Sequence, residues 1–142
     1  MALALIIILL TLAALHLYWG LGGRWPGRDE SELVATVIGR TKSGKMPSLA
    51  VAGAVAGALA LGAWCVAADR GGLNFGVPLP LVNAGYFLMA LVFAVRGVIT
   101  YAFPAVFAYA KGTPFERLNR LYYSPLCLFI AFGLVTASLG LL

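Results

Sequence analysis

Four apolar blocks dominate the chain, at residues 2–21, 47–68, 79–103 and 125–142, with polar and glycine- or proline-bearing stretches between them. Each is close to the roughly 20 residues a helix needs to cross a bilayer, so the pattern predicts four transmembrane spans. The expected fold is all-α, a polytopic membrane four-helix bundle built as a single domain, with short interfacial helices in two of its loops.

Projection at about 100° per residue gives the spans their faces. In the first, Ala13, His16 and Gly20 share a side whose small residues suit a neighbouring helix. The second carries Gly53 and Gly57 in a GxxxG pattern, with Ala50, Ala54 and Ala58 at the same spacing. That helix is expected to pack closely, inside the bundle or between protomers of a homo-oligomer. In the third, Phe87, Leu88, Leu91, Val92, Val95, Val98 and Ile99 form a lipid-facing side, and Asn83, Tyr86, Ala90, Arg96, Gly97 and Thr100 face inward.

The loops carry start signals. Asp29 followed by Glu32 reads as a capping pair before Leu33, Val34, Val37 and Ile38, ending at Gly39. Thr113, Pro114 and Glu116 read as cap, first helical position and capping glutamate of an interfacial helix at about residues 114–123. Ser124-Pro125 repeats the signal, so the fourth span is expected to start afresh there. A short turn is expected around Asp69 to Gly72 and Pro78 to Pro80.

Composition excludes a soluble domain, since 62% of the residues are hydrophobic and only 11% charged. The net charge of +5 does not point to nucleic acid, because of where the charges fall. Arg24, Arg28, Arg40, Lys42 and Lys45 lie between the first two spans, Lys111, Arg117 and Arg120 between the last two, and Arg70 alone in the middle connection. The positive-inside rule then puts both basic loops in the cytoplasm of a bacterial inner membrane, with both termini and residues 69–77 outside. Membrane lipids become the default partner. The first block has no preceding basic residue and exceeds a signal core in length, so it is expected to be retained. Cys65 and Cys127 fall near opposite membrane faces, too far apart for a disulfide.

Residues 39–46 follow a phosphate-loop spacing until Met46 stands where the magnesium-binding hydroxyl belongs, so they read as a basic linker. The spans hold two ionisable side chains with a bearing on chemistry, His16 and Arg96, and no carboxylate. Arg96 either reaches towards headgroups or lines an inward pocket with His16, Thr100 and Tyr101 that receives the phosphate or carboxylate of an anionic lipid or amphiphile. No catalytic set, cofactor or metal ligand spacing is evident, and an enzyme is not the favoured reading. The competing classes are a partner-binding protein, such as an accessory subunit or immunity protein, and an oligomeric small transporter.

His16-Leu-Tyr18-Trp19 with Gly22-Gly23, together with the stretch from Gly112 through Pro114, Arg117, Asn119, Tyr122-Tyr123-Ser124-Pro125 to Cys127, resembles a family of small bacterial four-helix membrane proteins known only as a domain of unknown function. The resemblance implies the fold and no activity.

Overall fold

The computed structural model describes residues 2–71 and 75–141, with side chains described for 2–68 and 75–141. Residues 72–74, where part of the short middle turn is expected, lie outside the described residues. The described chain is helical: α1 (Ala2–Gly20), α2 (Glu30–Val37), α3 (Leu49–Gly71), α4 (Leu79–Ala102), a 3-10 segment (Pro104–Ala110), α5 (Pro114–Leu118), a π-turn (Asn119–Tyr123) and α6 (Ser124–Ser138). Ala2–Gly20, Leu49–Ala68, Leu79–Ala102 and Pro114–Ser138 are each long and apolar enough to cross a membrane. This is a membrane protein of four spanning helices.

The fourth of these differs from the sequence expectation. Residues 114–123 and the last apolar block form one continuous run of helical turns, because Tyr123 and Ser124 keep right-handed helical backbone angles through the Ser-Pro step. Pro125 sits at the start of α6 without breaking it.

The bundle consists of two closely packed pairs. α1 lies mainly against α3 and α4 mainly against α6, and the pairs meet through α3–α4 and α1–α6. Leu5, Leu9 and Ala13, four residues apart on α1, are buried in a core with Leu59, Ala63 and Val66 of α3, Tyr86 and Ala90 of α4, and Ile130 and Leu134 of α6. The small-residue face of α1 does meet a helix, since a Cβ on Gly20 would stand 2.9 Å from that of Ala52. The expected lipid face of α4 is also found: Phe87, Leu88, Leu91, Val92, Val95 and Val98 are all exposed. By contrast, a Cβ on Gly53 or Gly57 would meet nothing within 4 Å among the described residues. The GxxxG pattern therefore faces away from the bundle, and packing inside it is not its use.

Both basic loops gather at one end, here called the basic end. α2 begins as its sequence predicts: Asp29 Oδ1 accepts from the Glu32 N–H at 2.8 Å. Glu32 Oε2 in turn accepts from the Arg28 backbone N–H at 2.8 Å and from Arg28 Nε at 2.9 Å. These bonds, the side-chain one first, hold the Glu32 carboxyl below its ordinary range. That contribution to α2 is present above the unfolded carboxylate range and lost as pH falls through the lowered value. Gly39, at φ +100, closes the helix by donating to the Val34 carbonyl at 2.7 Å. It also lets the backbone pass against Ala110 and Phe115, both buried. Tyr123 Oη donates to the Thr36 carbonyl at 3.1 Å and Arg40 Nη2 to the Lys111 carbonyl at 3.2 Å. Loop one, the connection between the first two spans, is thus fastened to the fourth spanning helix and to the turn before it. Residues 41–45 fold on themselves, with Thr41 Oγ1 donating to the Lys45 carbonyl at 2.9 Å.

Gly97 marks a close α4–α6 contact, because a Cβ there would lie 2.6 Å from Leu128 Cγ and 3.1 Å from the Ser124 carbonyl. Neither the branch point of a leucine nor a backbone oxygen yields cheaply. Gly97→Ala is expected to lower stability by about 1–3 kcal/mol, the usual cost of overpacking. Gly53→Ala should stay within about 0.5 kcal/mol of wild type. Thermal unfolding of the two variants in detergent checks the contrast, and equal losses would contradict the packing described.

Candidate functional site

Arg96 lies about 1.7 turns, about 9 Å, before the end of α4, at the edge of the inward face. Side chains leave a helix leaning towards its N-terminus, which from Arg96 is away from the basic end. The guanidinium nevertheless turns the other way. Its Nη1 donates to Thr100 Oγ1 at 3.3 Å and its Nη2 to Asn119 Oδ1 at 2.7 Å. Its central carbon stands 5.1 Å from the centroid of the Phe107 ring, contributed by the 3-10 segment. Phe107, Phe115 and Tyr123 continue as a chain of ring contacts towards α2.

Behind the arginine the polar groups form a closed cluster. Thr100, Asn119 and Ser124 are all buried, between 0% and 4% exposed. Asn119 Nδ2 donates to Thr100 Oγ1 at 3.0 Å, and the Ser124 and Thr100 hydroxyls are 2.7 Å apart. With two lone pairs and three neighbours, Thr100 accepts from both Arg96 and Asn119 only if its own proton bridges to Ser124. The Ser124 proton is then available to Asn119 Oδ1 at 3.3 Å. Every member is a neutral acceptor or donor, so the cluster solvates the cation without neutralising it. The remaining N–H donors of Arg96, Nε–H among them, have no partner among the described residues.

The π-turn is what assembles this arrangement. In a regular α-helix residues five apart stand about 140° from each other, so Asn119 and Ser124 would face different neighbours. Here the Ser124 N–H donates to the Asn119 carbonyl, the i to i+5 bond of a π-turn, and both side chains reach Thr100. The sequence reason is Pro125, which has no N–H to offer the Leu121 carbonyl and whose ring crowds it. Widening the turn relieves that conflict without ending the helix.

Towards the lipid side, Leu91, Val92, Val95, Ile99, Val106 and Phe107 line an open groove of about 450 Å³ that ends on the methylene stem of Arg96. Of the residues expected to share a pocket, Arg96 and Thr100 are joined directly. Tyr101 is next to them but exposed, and its hydroxyl is committed to the Arg120 carbonyl at 2.5 Å. His16 is not brought to them. It lines a separate groove of about 190 Å³ between α1, the end of α2 and the start of α3. Asn119, Ser124 and Phe107 were not apparent from helical periodicity; the one available signal was a Ser-Pro pair inside an otherwise helical pattern. Thr113 also departs from expectation. It occupies the cap position, but its hydroxyl donates back to Ala110, and Glu116 accepts from Gly112 instead of closing the full box.

Residues 9–134 match the family model described as "Protein of unknown function (DUF3995)", a stretch that contains both His16 and the whole Arg96 cluster. Neither the curated proteins nor the solved structures contain a match.

Thr100→Val keeps the side-chain shape and removes the hydroxyl that three groups share. The variant is expected to lose about 1–3 kcal/mol, the cost of leaving buried polar groups unpaired. In a double-mutant cycle with Asn119→Leu, the coupling should exceed the ~0.6 kcal/mol average for interhelical hydrogen bonds in membranes. Simple additivity would remove the cluster from the account.

Proposed function

We propose, from the premise that this chain belongs to the DUF3995 family of proteins of unknown function, that it binds an anionic lipid or similar singly charged amphiphile at the basic end. Arg96 takes the phosphate or carboxylate and the apolar groove along α4 takes the chain. The observation that carries this reading is the neutrality of the arginine's surroundings. Among the described residues the ion pair is Arg28–Glu32, and no carboxylate lies within 4 Å of Arg96. A cation near apolar surroundings draws a counter-ion strongly, and a guanidinium offers paired donors matched to an oxyanion. In this reading Thr100 and Asn119 position the guanidinium, and Tyr101 stands at the rim. The gathering of basic residues at the same end supports an orientation with that end in the cytoplasm.

Asn119→Asp tests the idea with an almost isosteric change that hands Arg96 the carboxylate it lacks. Purified Asn119→Asp and Arg96→Leu are expected to lose most of the anionic lipid that copurifies with wild type, as read by mass spectrometry. Reloading with phosphatidylglycerol, a fatty acid or phosphatidylcholine separates phosphate from carboxylate sources and from zwitterions. Wild-type amounts of anionic lipid on both variants would overturn the reading.

A second reading, association of two copies through α3, is favoured by the outward Gly53 and Gly57, where no described residue would meet an added Cβ within 4 Å. Two leucines in their place, Gly53→Leu and Gly57→Leu together, should abolish a dimer crosslinked in native membranes while leaving the melting temperature unchanged. A crosslinked dimer that survives them would exclude this face.

A further inference from the structure

The groove beside His16 is built differently from that beside Arg96. His16 Nδ1 lies 2.8 Å from the Leu12 carbonyl of its own helix. A carbonyl only accepts, so Nδ1 carries the proton, and in the neutral ring Nε2 carries the lone pair. No donor reaches Nε2 among the described residues. The nearby indole cannot supply one, because Trp19 Nε1 is committed to the Trp25 carbonyl at 2.7 Å. Trp19 instead meets the imidazole edge-on, with ring centroids 5.3 Å apart.

Around this single acceptor the groove is apolar. Val37, Ile38, Met46, Val51 and Val55 form its walls, and its volume is about 190 Å³. A cavity of about 150 Å³ is enough for benzene, whereas an ordered water needs two or more polar partners, which these side chains do not supply. The space fits one aromatic ring, and a ring bearing a hydroxyl also fits the acceptor. Trp19 and the Met46 thioether are both favourable neighbours for such a ring.

We propose that this groove is a second binding site, which takes the head of a lipophilic phenol or hydroquinone whose O–H donates to His16 Nε2. It is separate from the Arg96 site, being lined by α1, the end of α2 and the start of α3.

The test uses the full chain in detergent, with 4-hexylphenol and hexylbenzene as probes that differ only in the hydroxyl, and titration calorimetry as readout. Wild type is expected to prefer the phenol by up to about tenfold, the equivalent of one well-formed hydrogen bond. His16→Leu should bring that ratio to unity, and His16→Gln, which restores an acceptor, should recover part of it. Val55→Phe should fill the groove and abolish binding of both probes; Arg96→Leu should leave the ratio unchanged. Equal affinity of the two probes for wild type would make the groove a site for alkyl chains and overturn the proposal. So would a preference that survives His16→Leu, or binding that survives Val55→Phe.

Discussion

A guanidinium placed on an apolar helix must find acceptors, and the way Arg96 finds them governs the basic half of this protein. Its nearest strong acceptor, Asn119 Oδ1 at 2.7 Å, belongs to the segment that leads into α6. Reaching it requires α4 and α6 to approach closely, which the bare Gly97 permits. It also requires the π-turn that directs Asn119 and Ser124 to the same hydroxyl. The Phe107 ring is seated over the same guanidinium, which ties the 3-10 segment to α4. A close helix crossing, the π-turn that Pro125 imposes and the path of a connecting segment thus converge on one charge.

The apolar rows of the sequence made most of the fold legible, because span length and 3.6-residue periodicity are properties of regular helices. They located the four spans, the lipid side of α4 and the helix-facing side of α1. The capping pair at Asp29 and Glu32 was equally readable, since it depends on residues three apart with nothing intervening. Asn119 and Ser124 were hidden for the converse reason. A projection at constant angle assigns them to different faces, and only an irregular turn unites them. Ser124-Pro125 was noticed, but the pair marks a helix start as readily as a strained continuation, and the choice between them depends on tertiary packing.

His16 and Arg96 show a second limit. Depth along a span can be estimated by counting residues from its end, and both do lie towards the basic end. Which helices are neighbours is not encoded in that count. His16 belongs to the α1–α3 pair and Arg96 to the α4–α6 pair, so residues at similar depth line separate grooves. The pairs are joined at the basic end by the Gly39 crossing and by Tyr123 bonding to Thr36, contacts made by loop one.

A π-turn amounts to one surplus residue wound into an α-helix. Phe115 before it, Asn119 at its first position, and Ser124, Ile130, Ala131, Gly133, Leu134 and Ala137 after it are buried. At a constant ~100° per residue Ser124 would stand about 140° from Asn119 and leave the face that meets Thr100. Removing one residue between 119 and 123 would close the helix into unbroken α phase, setting Pro125 against the carbonyl four residues before it, and would swing Phe115 off α2 or Ser124 off Thr100. The continuity of this helix and the seating of its two ends are therefore separate properties, so helix content alone does not report on the arginine's surroundings.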